Sequence, residues 1–192
     1  MKQVYLDQNV SVQDVICLDV KQAHHIFDVL RTTSKEKIRI VTKNSGVFFG
    51  HVENKPNLVI DSMVDVFEEN QSITLCCALI KQDKFEWMLQ KACELGVHKI
   101  VPFVSKNTVV KLDEKKAEKK LIRWNEILLA ATKQCNRNTL VELEPVIALK
   151  DLSNYKSECN LVAYEKENDP SKHMAHYLKD NPQSITVCIG PE

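Results

Sequence analysis

Residues 81–103 read KQDKFEWMLQKACELGVHKIVPF, and this stretch decides the fold. An apolar, β-rich run, 73–80, leads into it. A helix then follows, with Asp83 expected as its N-cap and Glu86 completing a capping box three residues later. Gly96 suits the left-handed position that ends a helix, and a second apolar strand is expected at 100–103. Strand, helix and strand with connections this short make a right-handed βαβ unit, and hence a parallel sheet. At about 100° per residue, Phe85, Met88, Leu89, Ala92 and Leu95 share the face expected to be buried. Lys84, Trp87, Lys91 and Glu94 share a different face. That face reads either as solvated, with a Lys91–Glu94 pair, or as the border of a cleft or subunit interface.

Outward from this unit the chain changes style. Residues 1–70 offer short strands at 4–6, 15–18, 37–41, 47–52 and 58–66, one amphipathic helix at 22–31, and turn residues around Gly46 and Pro56. Short strands so spaced predict a small, closed or partly open barrel. Residues 71–192 alternate strands with helices, and the acidic and polar run 67–71 is the expected boundary. The longest helix, 113–137, carries a core stripe at Ala117, Leu121, Trp124, Leu128, Ala131 and Cys135. Further strands are expected at 160–164 and 184–189. Ligands of open parallel sheets bind beyond the carboxyl ends of the strands, so the loops at 165–170 and 190–192 are the expected site.

Net charge is zero, so affinity for nucleic acid has to come from a local patch. One exists. Between Lys106 and Arg123 the sequence carries seven Lys or Arg against Asp113, Glu114 and Glu118. The run, with Lys111, Lys115 and Lys119, reads as a solvated helix face or as an RNA footprint. Gln134, Arg137 and Asn138 crowd the end of that helix, either as C-capping groups or as a substrate-facing rim. The seven cysteines, an odd number without C-x-x-C spacing, read as small core residues. His173 and His176 read as surface residues of a short helix, so no metal site is expected. No apolar run is long enough to span a bilayer and the N-terminus has no signal-peptide character, which predicts a cytoplasmic protein. No phosphate-binding glycine loop is present, and no Ser–His–Asp or paired-carboxylate pattern stands out.

Taken together, residues 25–31 (HIFDVLR), Lys81-x-x-Lys84, Gln90-Lys91-x-x-Glu94-Leu-Gly-Val97, Pro102, Lys133-Gln-x-x-Arg137 and Ile189-Gly-Pro-Glu192 resemble the RsmE family along the whole chain. These are small-subunit ribosomal RNA methyltransferases that modify uridine N3 with S-adenosylmethionine. The resemblance implies an α/β protein with an N-terminal PUA-like barrel for RNA (1–70) and a SPOUT methyltransferase domain (71–192), acting as a homodimer. A C-terminal trefoil knot would hold the cofactor. The family pattern continues past Gly-Pro-Glu, whereas this chain ends at Glu192, so a truncated domain with an incomplete knot is expected.

The resemblance also implies roles. Arg137 is the first candidate to stabilise the uracil anion, with Lys84 or Lys91 as substitutes and Glu94 to orient one of them. Tyr164, Glu165, Ile189, Gly190, Pro191 and Glu192 would line the cofactor. Arg31, Lys106, Lys111, Lys115, Lys119, Arg123 and Gln134 would meet RNA. Two alternatives stay open: a non-catalytic RNA-binding module, and a SPOUT methyltransferase with another RNA target.

Overall fold

The computed structural model describes residues 2–42, 46–66, 71–108 and 114–191. The chain divides into two compact units: Met1–Glu68 with Asn136–Thr139, and Glu69–Cys135 with Leu140–Glu192. Apart from Gln71, the expected boundary run 67–71 lies outside the described residues.

The first unit contains β1 (Gln3–Leu6), β2 (Val15–Cys17), α1 (Val20–Ala23), β3 (Ile38–Thr42), β4 (Gly46–Val52) and β5 (Asn57–Val64). The strands form one curled sheet in the order β1-β3-β4-β5-β2. β1 runs parallel to β3, and the remaining neighbours are antiparallel. Val4, Leu6, Ile38, Ile40, Phe48, Leu58 and Ile60 turn inward, and Ile26 closes the core from the helix. The pairing of β4 with β5 shifts register at Phe49/Gly50, so the ribbon bends there. Gly50 makes the bend possible, because a Cβ on it would sit 2.2 Å from the Val59 carbonyl oxygen.

The helix expected at 22–31 is different in kind. It begins at Val20, where the Asp19 carboxylate accepts from the Gln22 amide at 2.8 Å. It then widens into a π-helical segment, His24–Val29, whose closing bond runs from the Leu30 amide to the His25 carbonyl at 2.9 Å. Arg31 leaves this segment at φ 47°, a left-handed conformation that a non-glycine residue adopts at a cost.

The second unit contains β6 (Ser72–Ala78), α2 (Gln82–Glu94), β7 (Lys99–Val104), α3 (Glu114–Gln134), β8 (Glu142–Leu143), β9 (Ile147–Ala148), β10 (Cys159–Ala163), α4 (Met174–Tyr177) and β11 (Ser184–Ile189). Its sheet has the order β10-β11-β6-β7-β8, with β9 also on β7, and every pairing is parallel. Alternation along β6 feeds two cores. Leu75 and Cys77 pack with Phe85, Leu89, Trp124 and Leu128, whereas Cys76 and Ala78 pack with Val101, Phe103 and Leu152. Burial on both faces is what a parallel sheet requires. α2 and α3 meet through Phe85 and Trp124, whose ring centroids are 4.6 Å apart.

The βαβ reading of 73–103 matches the structure, with corrections at both helix ends. α2 starts at Gln82, not after Asp83; Lys81 is the N-cap residue and no side chain caps it. Asp83 lies inside the first turn, where its charge suits the positive end of the helix dipole. Glu86 closes no capping box, because its carboxylate is taken by Arg123. At the other end Leu95 is exposed, and the buried position falls to Cys93. The helix closes with the Val97 amide on the Ala92 carbonyl at 3.0 Å and Gly96 at φ 94°, which swings Leu95 off the apolar stripe. The long helix stops at Gln134, three residues before Arg137, and Asn136 takes a left-handed φ of 55°. Residue 113, its expected start, lies outside the described residues. Cys76, Cys77, Cys93 and Cys159 are buried as expected, but Cys17 on the short strand β2 is exposed; all seven are free thiols.

The Gly50 contact yields a stability prediction. Gly50→Ala forces the Val59 carbonyl and the Ile40 side chain apart. It should destabilise the protein by about 1–3 kcal/mol in a urea titration, the usual range for an overpacked core.

Candidate functional site

Parallel pairing gives the second unit one edge at which β10, β11, β6 and β7 all end. In register, Ala163 of β10 lies beside Ile189 of β11, Ile189 beside Cys77 of β6, and Cys77 beside Pro102 of β7. Four connections therefore leave the same edge side by side. Tyr164 and Glu165 follow β10, Gly190 and Pro191 follow β11, residues 79–81 follow β6 and lead into α2, and Ser105 and Lys106 follow β7. Tyr164 and Ile189 are exposed there, at 63% and 43%, beside the half-buried Gly190 and Pro191. An aromatic residue, an apolar residue, the carboxylate-bearing Glu165 and strand-end backbone groups therefore follow strands that end at one edge. Glu192 and Lys111 lie outside the described residues.

The loop after β10 is organised by its own polar groups. Asp169 accepts from the Ser171 amide and hydroxyl at 2.9 and 2.7 Å, and Lys172 donates to Glu167 at 2.8 Å. The Lys172 ammonium holds the Glu167 carboxyl below its ordinary range, and the Ser171 hydroxyl does the same for Asp169. His173 caps α4 by accepting from the Ala175 amide, and it and His176 lie on the surface. No group of metal-ligating side chains occurs among the described residues.

Helix α2 divides the expected catalytic set. Lys84 lies exposed in its first turn, at the edge where the strands end. Lys91 and Glu94 lie in its last turns, roughly 10–15 Å further along at 1.5 Å per residue. There they bond to each other at 2.6 Å, and the lysine holds the Glu94 carboxyl low. The pair lies at the end of the helix away from Lys84. The Trp87 indole is 62% exposed.

The basic helix is partly neutralised from within. Arg123 grips Glu86 with two bonds, Nε to Oε1 at 2.8 Å and Nη2 to Oε2 at 2.7 Å, a fork-on-carboxylate geometry that Lys cannot copy. Lys120 Nζ stands 5.8 Å from the Trp124 ring centroid. Lys106, Lys115, Lys119 and Gln134 are exposed, and so is Arg31 in the first unit.

Arg137 is half-buried and groups with the first unit. Its backbone carbonyl accepts from the Tyr5 hydroxyl at 2.9 Å and from Arg39 Nη1 at 3.3 Å, while Arg39 Nη2 donates to the Asn138 Oδ1. Sequence reasoning passed over Arg39. Its signal was a charge in the apolar run of β3, at a position that is 7% exposed.

The RNA methyltransferase domain family matches residues 67–192, about two thirds of the chain. The chain belongs to that family. Relatives of this RNA methyltransferase domain protein extend the likeness to its first unit. The ribosomal RNA small subunit methyltransferase E of Bacillus subtilis is 27% identical over 196 residues, covering 96% of this chain and 77% of the relative. That of Mesomycoplasma hyopneumoniae is 34% identical over 136 residues, covering 70% of this chain; the match spans 57% of that relative. Among solved structures, the Neisseria gonorrhoeae ribosomal RNA small subunit methyltransferase E bound to S-adenosyl methionine superposes with a TM-score of 0.84 at 27% identity, over 99% of this chain and 79% of that one. A methyltransferase of Legionella pneumophila with bound cofactor SAM gives 0.83 at 25% identity, with the same coverage. Among the described residues of this RNA methyltransferase domain protein, no helix is long and apolar enough to cross a membrane.

The Arg123–Glu86 pair yields a pH prediction. Because Arg123 lowers the folded-state pKa of Glu86, the stabilisation is present above the ordinary carboxylate value and is lost as pH falls through the folded one. The difference in Tm between wild type and Glu86→Gln should be largest near neutrality and shrink from about pH 5 to pH 3. Thermal melts across that range measure it.

Proposed function

We propose that this chain methylates N3 of a uridine in small-subunit ribosomal RNA, using S-adenosylmethionine as the methyl donor. The observation that carries the reading is the edge where β10 and β11 end together, in a fold that matches a relative crystallised with that cofactor. The residues present there suit such a ligand. Tyr164 offers an aromatic face, Ile189 an apolar contact, Glu165 a carboxylate for hydroxyl or amine groups, and Gly190 and Pro191 strand-end backbone groups; Glu192, outside the described residues, would add a second carboxylate. The cofactor supplies an electrophilic methyl on a sulfonium.

The chemistry on the RNA side falls to this chain. Uracil N3 gives up its proton to water, which leaves an imide anion with charge spread over O2 and O4; as N3 bonds to the methyl carbon, the carbon–sulfur bond would break to leave a neutral thioether. A cation held beside those oxygens lowers that barrier. In this reading Arg137, which is always protonated and able to bridge two acceptors, supplies that cation, with Lys84 as the substitute. Lys91, already bonded to Glu94, has a supporting part. Lys106, Lys111, Lys115 and Lys119 would hold phosphates, together with Arg31 and Gln134; Arg123 contributes less, because Glu86 occupies its guanidinium. The reading includes a PUA-like role for the first unit, a SPOUT arrangement with a C-terminal trefoil knot for the second, and a homodimer that covers Trp87.

The test supplies the protein with labelled S-adenosylmethionine and small ribosomal subunits from cells lacking the modification, followed by mass spectrometry of the nucleosides. Labelled 3-methyluridine is expected; label on another nucleoside, or RNA binding with no transfer and no cofactor uptake in calorimetry, overturns the assignment. Arg137→Ala should slow transfer on the order of 10²-fold, as loss of a preorganised donor does elsewhere. Its Tm should stay near wild type, because the bonds to Tyr5 and Arg39 use the backbone carbonyl, which the substitution leaves in place. Arg137→Lys should recover part of the rate.

A further inference from the structure

The first unit contains a buried cation whose hydrogen bonds all go to neutral oxygens. Arg39 lies on β3, paired in register with Gln3 of β1. Arg39, Gln3 and Tyr5 are each more than nine-tenths buried. The Arg39 guanidinium donates to the Gln3 Oε1, to the Arg137 carbonyl and to the Asn138 Oδ1, and no carboxylate accepts from it among the described residues. Gln3 in turn donates through Nε2 to the Tyr5 hydroxyl, whose own proton goes to the same Arg137 carbonyl.

A buried charge without a counter-charge weakens a fold unless hydrogen bonds offset its lost hydration. Three donors meet one short turn here. The turn begins at Asn136, in left-handed conformation just past the end of α3, and it has no regular secondary structure of its own. Fixing the carbonyl of residue 137 and the side chain of residue 138 restricts the backbone from which the Arg137 side chain leaves, and Arg137 Nη2 itself donates to the Thr139 hydroxyl at 3.5 Å. The hold needs a planar fork. One guanidinium reaches a carbonyl and an amide oxygen of consecutive residues with two different nitrogens, which a single ammonium cannot do in the same plane.

We propose that Arg39, with Gln3 and Tyr5, is a positioning residue: it clamps the turn 136–138 from inside the sheet so that the Arg137 guanidinium is already oriented when RNA arrives. The role rests on the reading of Arg137 given above. Orientation set in advance acts on the transition state, because the donor need not be ordered during the reaction.

The experiment compares Arg39→Met, Arg39→Lys, Asn138→Ala and Arg137→Ala, singly and with Arg39→Met combined with Arg137→Ala. Hydrogen exchange is followed residue by residue, and methyl transfer to small subunits is followed under saturating cofactor. Arg39→Met and Asn138→Ala should speed exchange at 137–139 by about tenfold or more while β3 and β4 keep their protection. Arg39→Lys should fall between them and wild type. Transfer by Arg39→Met should lose kcat with KM for RNA nearly unchanged, and the substitution should add nothing in the Arg137→Ala background.

Unchanged exchange at 137–139 in both Arg39→Met and Asn138→Ala overturns the clamp. Faster exchange across all of β1, β3 and β4 in both variants overturns it too, because Arg39 would then support the sheet as a whole. An equal loss of rate from Arg39→Met with and without Arg137 shows action by another route and also overturns it. If Arg137→Ala itself transfers methyl normally, the reading of Arg137 fails, and the exchange data separate that failure from failure of the clamp.

Discussion

Parallel strand pairing is the constraint on which the second unit depends. Once β6 and β7 are joined through α2, both must point the same way, and β10 and β11 follow by pairing in register beside them. Four chain segments therefore leave one edge together, and residues as distant in sequence as Lys84, Lys106, Tyr164 and Gly190 become neighbours of a common rim. The same constraint requires apolar cover on both faces of the sheet. Phe85 and Trp124 supply it on one side and Phe103 with Leu152 on the other. A site at this edge is a consequence of chain direction before it is a matter of side-chain chemistry.

Charge is arranged in two different ways in the two units. In the second, Arg123 and Glu86 join α3 to α2 at the surface, which ties up one member of a basic run and leaves Lys115 and Lys119 facing water. In the first, Arg39 lies inside the sheet and spends its donors on neutral oxygens of a turn. The surface pair loses less when Glu86 is removed, because water can reach the exposed Arg123 guanidinium in its place. Loss of the buried guanidinium costs more, because its partners have no solvent to turn to.

Much of the frame was legible in the chain because it rests on local signals. The apolar run 73–80, the stripe through Phe85, Leu89 and Ala92 and the stop at Gly96 each act within a few residues, and the strand–helix–strand follows from them. The stripe Leu121, Trp124, Leu128 and Ala131 was readable for the same reason. The errors fell where a local rule met a tertiary partner or a change of period. Glu86 left its expected cap for Arg123 on another helix, Leu95 was carried off the stripe by the turn at Gly96, and residues 24–29 widened into a π-helical turn that a period of 3.6 does not anticipate.

The candidate site was legible in part, and for a different reason in each part. The loops at the ends of β10 and β11 followed from the rule that parallel sheets open at their carboxyl edge, while the cofactor and the RNA came from resemblance. By itself the sequence determined which segments are strands and helices, where the apolar faces lie, and that a basic run begins α3, since these depend on neighbours within a turn or two. The Lys91–Glu94 pair, three residues apart, was readable too, whereas the place of Lys84 at the strand-end edge followed only from how the strands pair. Only the tertiary structure decided that Arg123 is neutralised and that Arg39 holds the Arg137 carbonyl. Those are contacts between residues 37 to 98 positions apart in the chain, and no periodicity carries information over that distance.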